Sequence, residues 1–180
     1  MGITAFLDRV CVNEALGGGV ELRFMDDSKI RGLFELIVTD VRGNIVVIDR
    51  DENMIMNGAR TDLAHLVVND AASSHIITQM AFGSGGHDPN AIASPLTVDP
   101  AGTALISEIS GIRQAISSHS FPAFNSVTLT AQLGANTGNG NIISEYGLIT
   151  GAGTLFAKKN RGVLTKNSDL ILTINWTLVF

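Results

Sequence analysis

The run Leu170-Ile171-Leu172-Thr173-Ile174-Asn175-Trp176-Thr177-Leu178-Val179-Phe180 decides the fold class. On an extended chain Leu170, Leu172, Ile174, Trp176, Leu178 and Phe180 share one face, and Thr173, Asn175 and Thr177 share the other. A period of two is the mark of a strand with one buried face. A slip of one residue would expose the whole apolar set, so the register is expected to be strongly fixed. The threonines then meet solvent or pair with a neighbouring strand.

The same alternation recurs upstream. In Phe124–Leu133, Val127, Leu129, Ala131 and Leu133 point one way, and Thr128, Thr130 and Gln132 the other. Strands are also predicted at Ile142–Ile149 and Thr154–Lys158, joined through Gly151 to Gly153, and at Val163–Lys166 after a turn at Gly162. Small residues from Gly134 to Asn141 form a further turn region. Closely spaced strands with Gly/Asn turns predict an antiparallel arrangement. The expected fold is mainly β: an antiparallel β-sandwich, jelly-roll-like, with one or two short helices.

Toward the N-terminus, residues 1–16 read either as a short helix or as an extended arm, and Gly17, Gly18 and Gly19 break any regular element. Val20–Phe24 reads as a strand and Asp26, Asp27 and Ser28 as a turn. Leu33–Thr39 and Ile45–Asp49 read as two strands joined by the hairpin chemistry of Asp40 to Asn44. Ala59, Leu63, Leu66 and Val67 recur at helical spacing within Asn57–Asn69, with Asn57 as a cap and Asp62 near the positive end. Ser73 and Ser74 sit in a loop before a strand at Ile76–Phe82. Residues 83–104 read as a long loop, and Leu105–Ile116 as a short helical or extended piece carrying Glu108 and Arg113. Two regions result: 1–39, an N-terminal arm or first strands that could dock, and 40–180, the β-sandwich domain.

The 180 residues are 45% apolar and only 16% charged, against a usual charged share of roughly 25%. With so few charges, either loops rich in Gly, Ser, Thr and Asn cover the surface or other subunits cover part of it; both are expected, and the long apolar strands favour the second. The net charge of −5 comes without a basic stripe; the densest run, Lys158, Lys159 and Arg161, reads as a solvated edge. This argues against a nucleic-acid partner. No run approaches the apolar length of a membrane helix. Met1 to Arg9 lacks an export signal, so synthesis and folding in a cytoplasm are expected. The alternating last strand with Phe180 raises an outer-membrane barrel, which the scarcity of long alternating segments opposes. The lone Cys11 reads as a small buried side chain, with an intersubunit disulfide as the other reading.

Chemistry is sparse. His65, His75, His87 and His119 form no close ligand pair and read as surface or turn residues, so no metal site is expected. The glycines of Gly83 to Gly86 lack the Gly-Lys-Ser/Thr of a phosphate loop and read as turn residues with positive φ. Asp49, Asp51 and Glu52, like Asp26 and Asp27, lack calcium-loop spacing and read as charged turns. No nucleophile elbow or triad pattern occurs, so neither catalytic nor cofactor-binding residues are assigned. The most unusual polar residue is Glu145, inside the apolar run Ile142–Ile149. A carboxylate there needs a partner, and Lys158 and Lys166 are the candidates. The expected role is a partly buried ion pair that fixes strand register, with Trp176 filling the core.

From residue 40 onward the order of motifs is familiar. It runs through the turn at Asp40 to Ile45, Asn53 to Gly58 leading into Leu63 to Leu66, and Ile76 to Gly86. It continues with Asp99, Leu105 and Glu108, then Asn139-Gly140, Glu145 to Leu148, Leu155 to Lys158, Lys166 and Trp176. This order resembles a family of tailed-phage and prophage virion proteins found among neck, collar and tail-associated components. The segment from His87 to Pro100 is longer than that family's pattern. The resemblance implies a role in the virion, with no cofactor and no active site to carry over. The expected function is a non-enzymatic structural subunit, partnered by copies of itself and by other virion proteins in a symmetric oligomer. A capsid decoration or cement protein is the second reading. A carbohydrate-binding or cleaving tail or baseplate module, with a glycan partner, is the third.

Overall fold

The computed structural model describes the backbone of residues 10–14, 20–24 and 30–180 and the side chains of residues 30–180. The expectations for residues 1–9, Gly17 to Gly19, Asp26 to Ser28 and the Cys11 side chain lie outside the described residues. Elements follow in the order β1 (Val10–Glu14), β2 (Val20–Phe24), β3 (Arg31–Asp40), β4 (Ile45–Ile55), α1 (Gly58–Val67), α2 (Ala72–His75), β5 (Ile77–Gly83), β6 (His87–Asp88) and β7 (Ala91–Pro95). Then come β8 (Gln114–Ala115), β9 (Ser118–Ala123), β10 (Ser126–Leu133), β11 (Ile142–Thr150), β12 (Leu155–Thr165) and β13 (Leu170–Val179). The fold is mainly β, an antiparallel sandwich with two short helices among the described residues.

Nine strands form one antiparallel sheet in the order β8-β5-β11-β12-β4-β3-β13-β10-β9, while β1 pairs with β2 and β6 with β7. The large sheet folds over at the β12–β4 junction, where pairing is limited to Ala157 with Ile55 and Lys158 with Met54. One layer is therefore β4-β3-β13-β10-β9 and the other β12-β11-β5-β8. Their inner faces meet in an aromatic cluster. Phe34 of β3 lies edge-on to Trp176 of β13 at 5.2 Å and 5.0 Å from Tyr146 of β11, which is 5.7 Å from Phe82 of β5. These spacings favour edge-to-face contact between ring quadrupoles. The opposite side of the sandwich is closed by one bent segment: Ile116 N–H donates to Thr78 in one layer and Ser117 N–H to Thr130 in the other.

Alternation sets which side chains fill the core. Leu172, Ile174, Trp176 and Leu178 are buried, as are Leu129, Ala131 and Leu133 of β10 and Phe34, Leu36 and Val38 of β3. On the outer face the polar residues pair across strands. Thr128 and Thr177 hydroxyls lie 2.7 Å apart, Thr130 donates to Asn175 at 2.9 Å, and Gln132 donates to Thr173 at 3.1 Å.

Several expectations change. The strand expected to stop at Asp49 runs on to Ile55, so Asp49, Asp51 and Glu52 lie in β4 and not in turns. Thr154–Lys158 and Val163–Lys166 are parts of one long strand, with Gly162 inside it; a Cβ there would come within 2.7 Å of the Ala93 carbonyl oxygen. In α1 the buried residues are Ala59 and Asp62, while Val67 is exposed, and Asn57 makes no capping bond through its side chain. Ser73 and Ser74 lie in the one-turn helix α2, and the loop at 83–104 contains the β6–β7 hairpin. Arg31–Asp40 is an interior strand between β4 and β13, so the end of the 1–39 region belongs to the sheet.

Candidate functional site

Strand β11 is buried on both faces because the excursion between β5 and β8 lies across its outer side. A bulge between Ile143 and Glu145 lets Ser144 and Glu145 both reach that excursion. Glu145 Oε1 accepts hydrogen bonds from the Gly85 N–H at 2.9 Å and the Ser107 N–H at 2.7 Å. Its Oε2 accepts from the Ile106 N–H at 2.9 Å and lies 2.8 Å from Lys158 Nζ. Ser144 Oγ accepts from the Gly86 N–H at 3.0 Å and lies 3.0 Å from His87 Nδ1. Glu145 is fully buried and Lys158 nearly so.

Four contacts fill the acceptor sites of a carboxylate. Burial pushes the Glu145 carboxyl up, but the Lys158 ammonium and the N–H groups of Ser107, Ile106 and Gly85 outweigh it and hold the carboxyl below its ordinary value. A carboxylate so occupied has no lone pair left for proton transfer. It works as a clasp, pinning both ends of the excursion to β11. The glycines beside it are there for space. A Cβ on Gly83 would stand 2.5 Å from Glu145 Oε1, one on Gly85 2.7 Å from Ile106 and one on Gly86 2.2 Å from the Ser144 carbonyl oxygen. None of the three has the positive φ expected of a turn glycine, which Gly43 and Gly153 do have.

The other candidates lie apart from this clasp. Lys166 is buried elsewhere and donates to Asn167 O at 2.8 Å, Asn139 Oδ1 at 2.9 Å and Ala135 O at 3.3 Å, tying two turns together. Burial pushes its ammonium below its ordinary value. Trp176 sits in the aromatic core, and its Nε1 has no hydrogen-bond partner among the described residues. Tyr146 Oη likewise makes no well-formed hydrogen bond among the described residues, and burial pushes its phenol up to about 12 against the opposing charge and hydrogen bonding of the nearby Arg161.

The cations at 158–161 are not a solvated edge. Beyond their two-residue pairing β12 and β4 splay apart, and ion pairs bridge the gap: Lys159 with Asp51, and Arg161 with Asp49 at 3.4 Å. The histidines are also more engaged than expected. His75 Nδ1 lies 2.7 Å from the buried Asp62, and His65 Nδ1 lies 2.9 Å from Asp70. The two imidazoles stack at 4.2 Å, joining α1 to α2. No sequence pattern marks this pairing, because thirteen residues and a strained linker, with Asn69 and Ala71 at positive φ, separate the partners. Among the described residues no three His, Cys, Asp or Glu side chains gather as a metal site, and no helix is long and apolar enough to cross a membrane.

One open groove, about 710 Å³, crosses the outer face of the five-stranded layer. Glu35, Arg50, Thr130 and Asn175 line it. Asn175 donates to Glu35 at 2.7 Å, and Arg50 pairs with Glu35 at 2.6 Å. The fold and its polar residues thus define an antiparallel β-sandwich whose conspicuous charges are tied up within the structure. Compared with protein-family models, curated proteins and solved structures, the chain finds no match.

Proposed function

We propose that this protein is a non-enzymatic structural subunit of a tailed-bacteriophage particle, placed at the neck, collar or tail and working as a symmetric homo-oligomer. The observation that carries the reading is how the two kinds of side chain are distributed. Glu145 and Lys158, the residues best placed for chemistry, are consumed by the clasp. Large apolar side chains, in contrast, stand exposed at Val41, Ile45, Val46, Phe121 and Phe124. Exposed apolar groups in a chain with so few charges favour burial against other subunits. The ordered resemblance from residue 40 onward supports the virion setting. Immunogold labelling of purified particles tests it: gold at the neck or tail supports the reading, and gold scattered over the shell moves the protein to a decoration role. Particles without label overturn it.

The groove on the five-stranded layer favours a second reading, a carbohydrate-binding tail module. Its volume lies within the usual range for ligand sites, and its lining offers hydroxyl, amide, carboxylate and guanidinium groups to a polyhydroxylated ligand. A glycan array with the wild type beside Asn175→Ala and Arg50→Ala separates the readings. Silence removes the glycan role, and binding lost in both variants establishes it.

A further inference from the structure

The two ends of the five-stranded layer carry different apolar patches. Arg31 pairs with Val179 and Asp40 with Leu170, so the strands place the β9–β10 turn and the β3–β4 turn at opposite ends, about 30 Å apart. At one end stand three phenylalanines. Phe124 is fully exposed, Phe121 is 73% exposed and Phe180 is 49% exposed. Two hydrogen bonds between Asn125 and Phe180, at 2.9 and 3.1 Å, hold this end together. At the other end, Val41, Ile45, Val46 and Ile48 are each between 45 and 62% exposed. That end is stiff: Asp40 Oδ1 accepts from the N–H groups of Arg42 and Asn44, and Gly43 takes positive φ to close the turn.

We propose that copies of this chain join end to end, the phenylalanine end of one seated on the β3–β4 hairpin of the next. This rests on the homo-oligomer reading above and names its contact. The areas support it. The seven side chains present roughly 650 Å² of apolar surface. A standard interface buries about 1,600 Å², somewhat over half of it apolar. The two patches therefore supply most of the apolar area that such a contact needs. A two-fold dimer through one pair of like ends would cover one patch and leave the other bare. Contact of unlike ends covers both in every copy, and flat rings seat well on branched aliphatic side chains. Such a heterologous contact is what closes a ring when the rotation between neighbours divides a full turn.

Two variants test it, each altering one end only: Phe121→Asp with Phe124→Asp, and Ile45→Asp with Val46→Asp. The residues are exposed, so far-ultraviolet circular dichroism and melting should match the wild type. Phe121→Ser with Phe124→Ser, and Ile45→Thr with Val46→Thr, serve if a charged pair unfolds. Native mass spectrometry and light scattering give the mass. The wild type is expected as multiples of 19.0 kDa, and each variant alone as a monomer. The two variants mixed should form a heterodimer and nothing larger, because one intact contact remains between them. A mixture that stays monomeric overturns the end-to-end contact. So does a variant that assembles like the wild type, though the homo-oligomer reading then stands. A wild type that is monomeric at every concentration overturns both.

Discussion

Glu145→Ala is the most informative single change. It removes the acceptor of three backbone N–H bonds and leaves the Lys158 ammonium buried without its partner. Breaking a buried ion pair from one side costs about 3–5 kcal/mol. Each N–H left dry would add about 1–3 kcal/mol, but the excursion can lift and admit water, so these costs do not simply add. A loss of about 4 kcal/mol is therefore expected, a large part of the roughly 5–15 kcal/mol that holds a domain folded. For a chain of this size that lowers Tm by about 10 °C and the urea midpoint by about 2 M. Lys158→Met should cost about half as much, because the carboxylate keeps its three N–H donors. Hydrogen exchange supplies the local readout: the amides of Gly85, Ile106 and Ser107 should lose protection in Glu145→Ala before the rest of the sheet does. Because the folded carboxyl sits below its ordinary value, its contribution is present above the unfolded value and is lost as pH falls through the folded one. A Glu145→Ala protein that melts within 2 °C of the wild type (about half a kcal/mol), with these amides still protected, would refute the clasp.

Tyr146 makes the alkaline counterpart. Its phenol is raised to about 12, so its contribution is intact below the unfolded value near 10 and is lost as pH climbs toward 12, about 3 kcal/mol in all. In Tyr146→Phe the alkaline loss should shrink while neutral-pH stability stays within about 1 kcal/mol, since the hydroxyl makes no well-formed hydrogen bond among the described residues; an unchanged alkaline profile would count against it. Lys166→Met should change stability by about 1 kcal/mol or less, because the gain from deleting a buried cation offsets three lost hydrogen bonds; a loss above about 3 kcal/mol in denaturant titration would contradict this. Gly86→Ala should lower stability by about 2–3 kcal/mol, because its methyl group would overlap the Ser144 backbone. A wild-type melting curve for that variant would show that the excursion does not press on β11 as described.

Side-chain alternation made much of the sandwich legible. In β10 and β13 each face has one environment, so the period of two appears directly as apolar and polar residues. β11 and the first half of β12 hide both faces, and there the sequence is simply apolar with Glu145 and Lys158 embedded in it. The embedded carboxylate was readable as needing a cation. Its three N–H donors were not, because backbone amides carry no sequence signature and the glycines that admit them look like turn glycines. The acidic residues of β4 misled for a related reason. Asp49 and Asp51 face inward toward the splayed gap, where a strand shows charges in place of its usual apolar residues.

The ten-residue pairing of β3 with β13 sets the order in which the protein can form. Arg31–Asp40 finds this partner only when Leu170–Val179, far along the chain, is available. Pairings so distant in sequence make closure entropically costly and slow, on the millisecond-to-second scale usual for β-topologies. Until Leu170–Val179 has been made, β3 and β10 lack the strand that belongs between them. The five-stranded layer therefore closes late, and only then do the Phe124 turn and the β3–β4 hairpin take their places at its two ends.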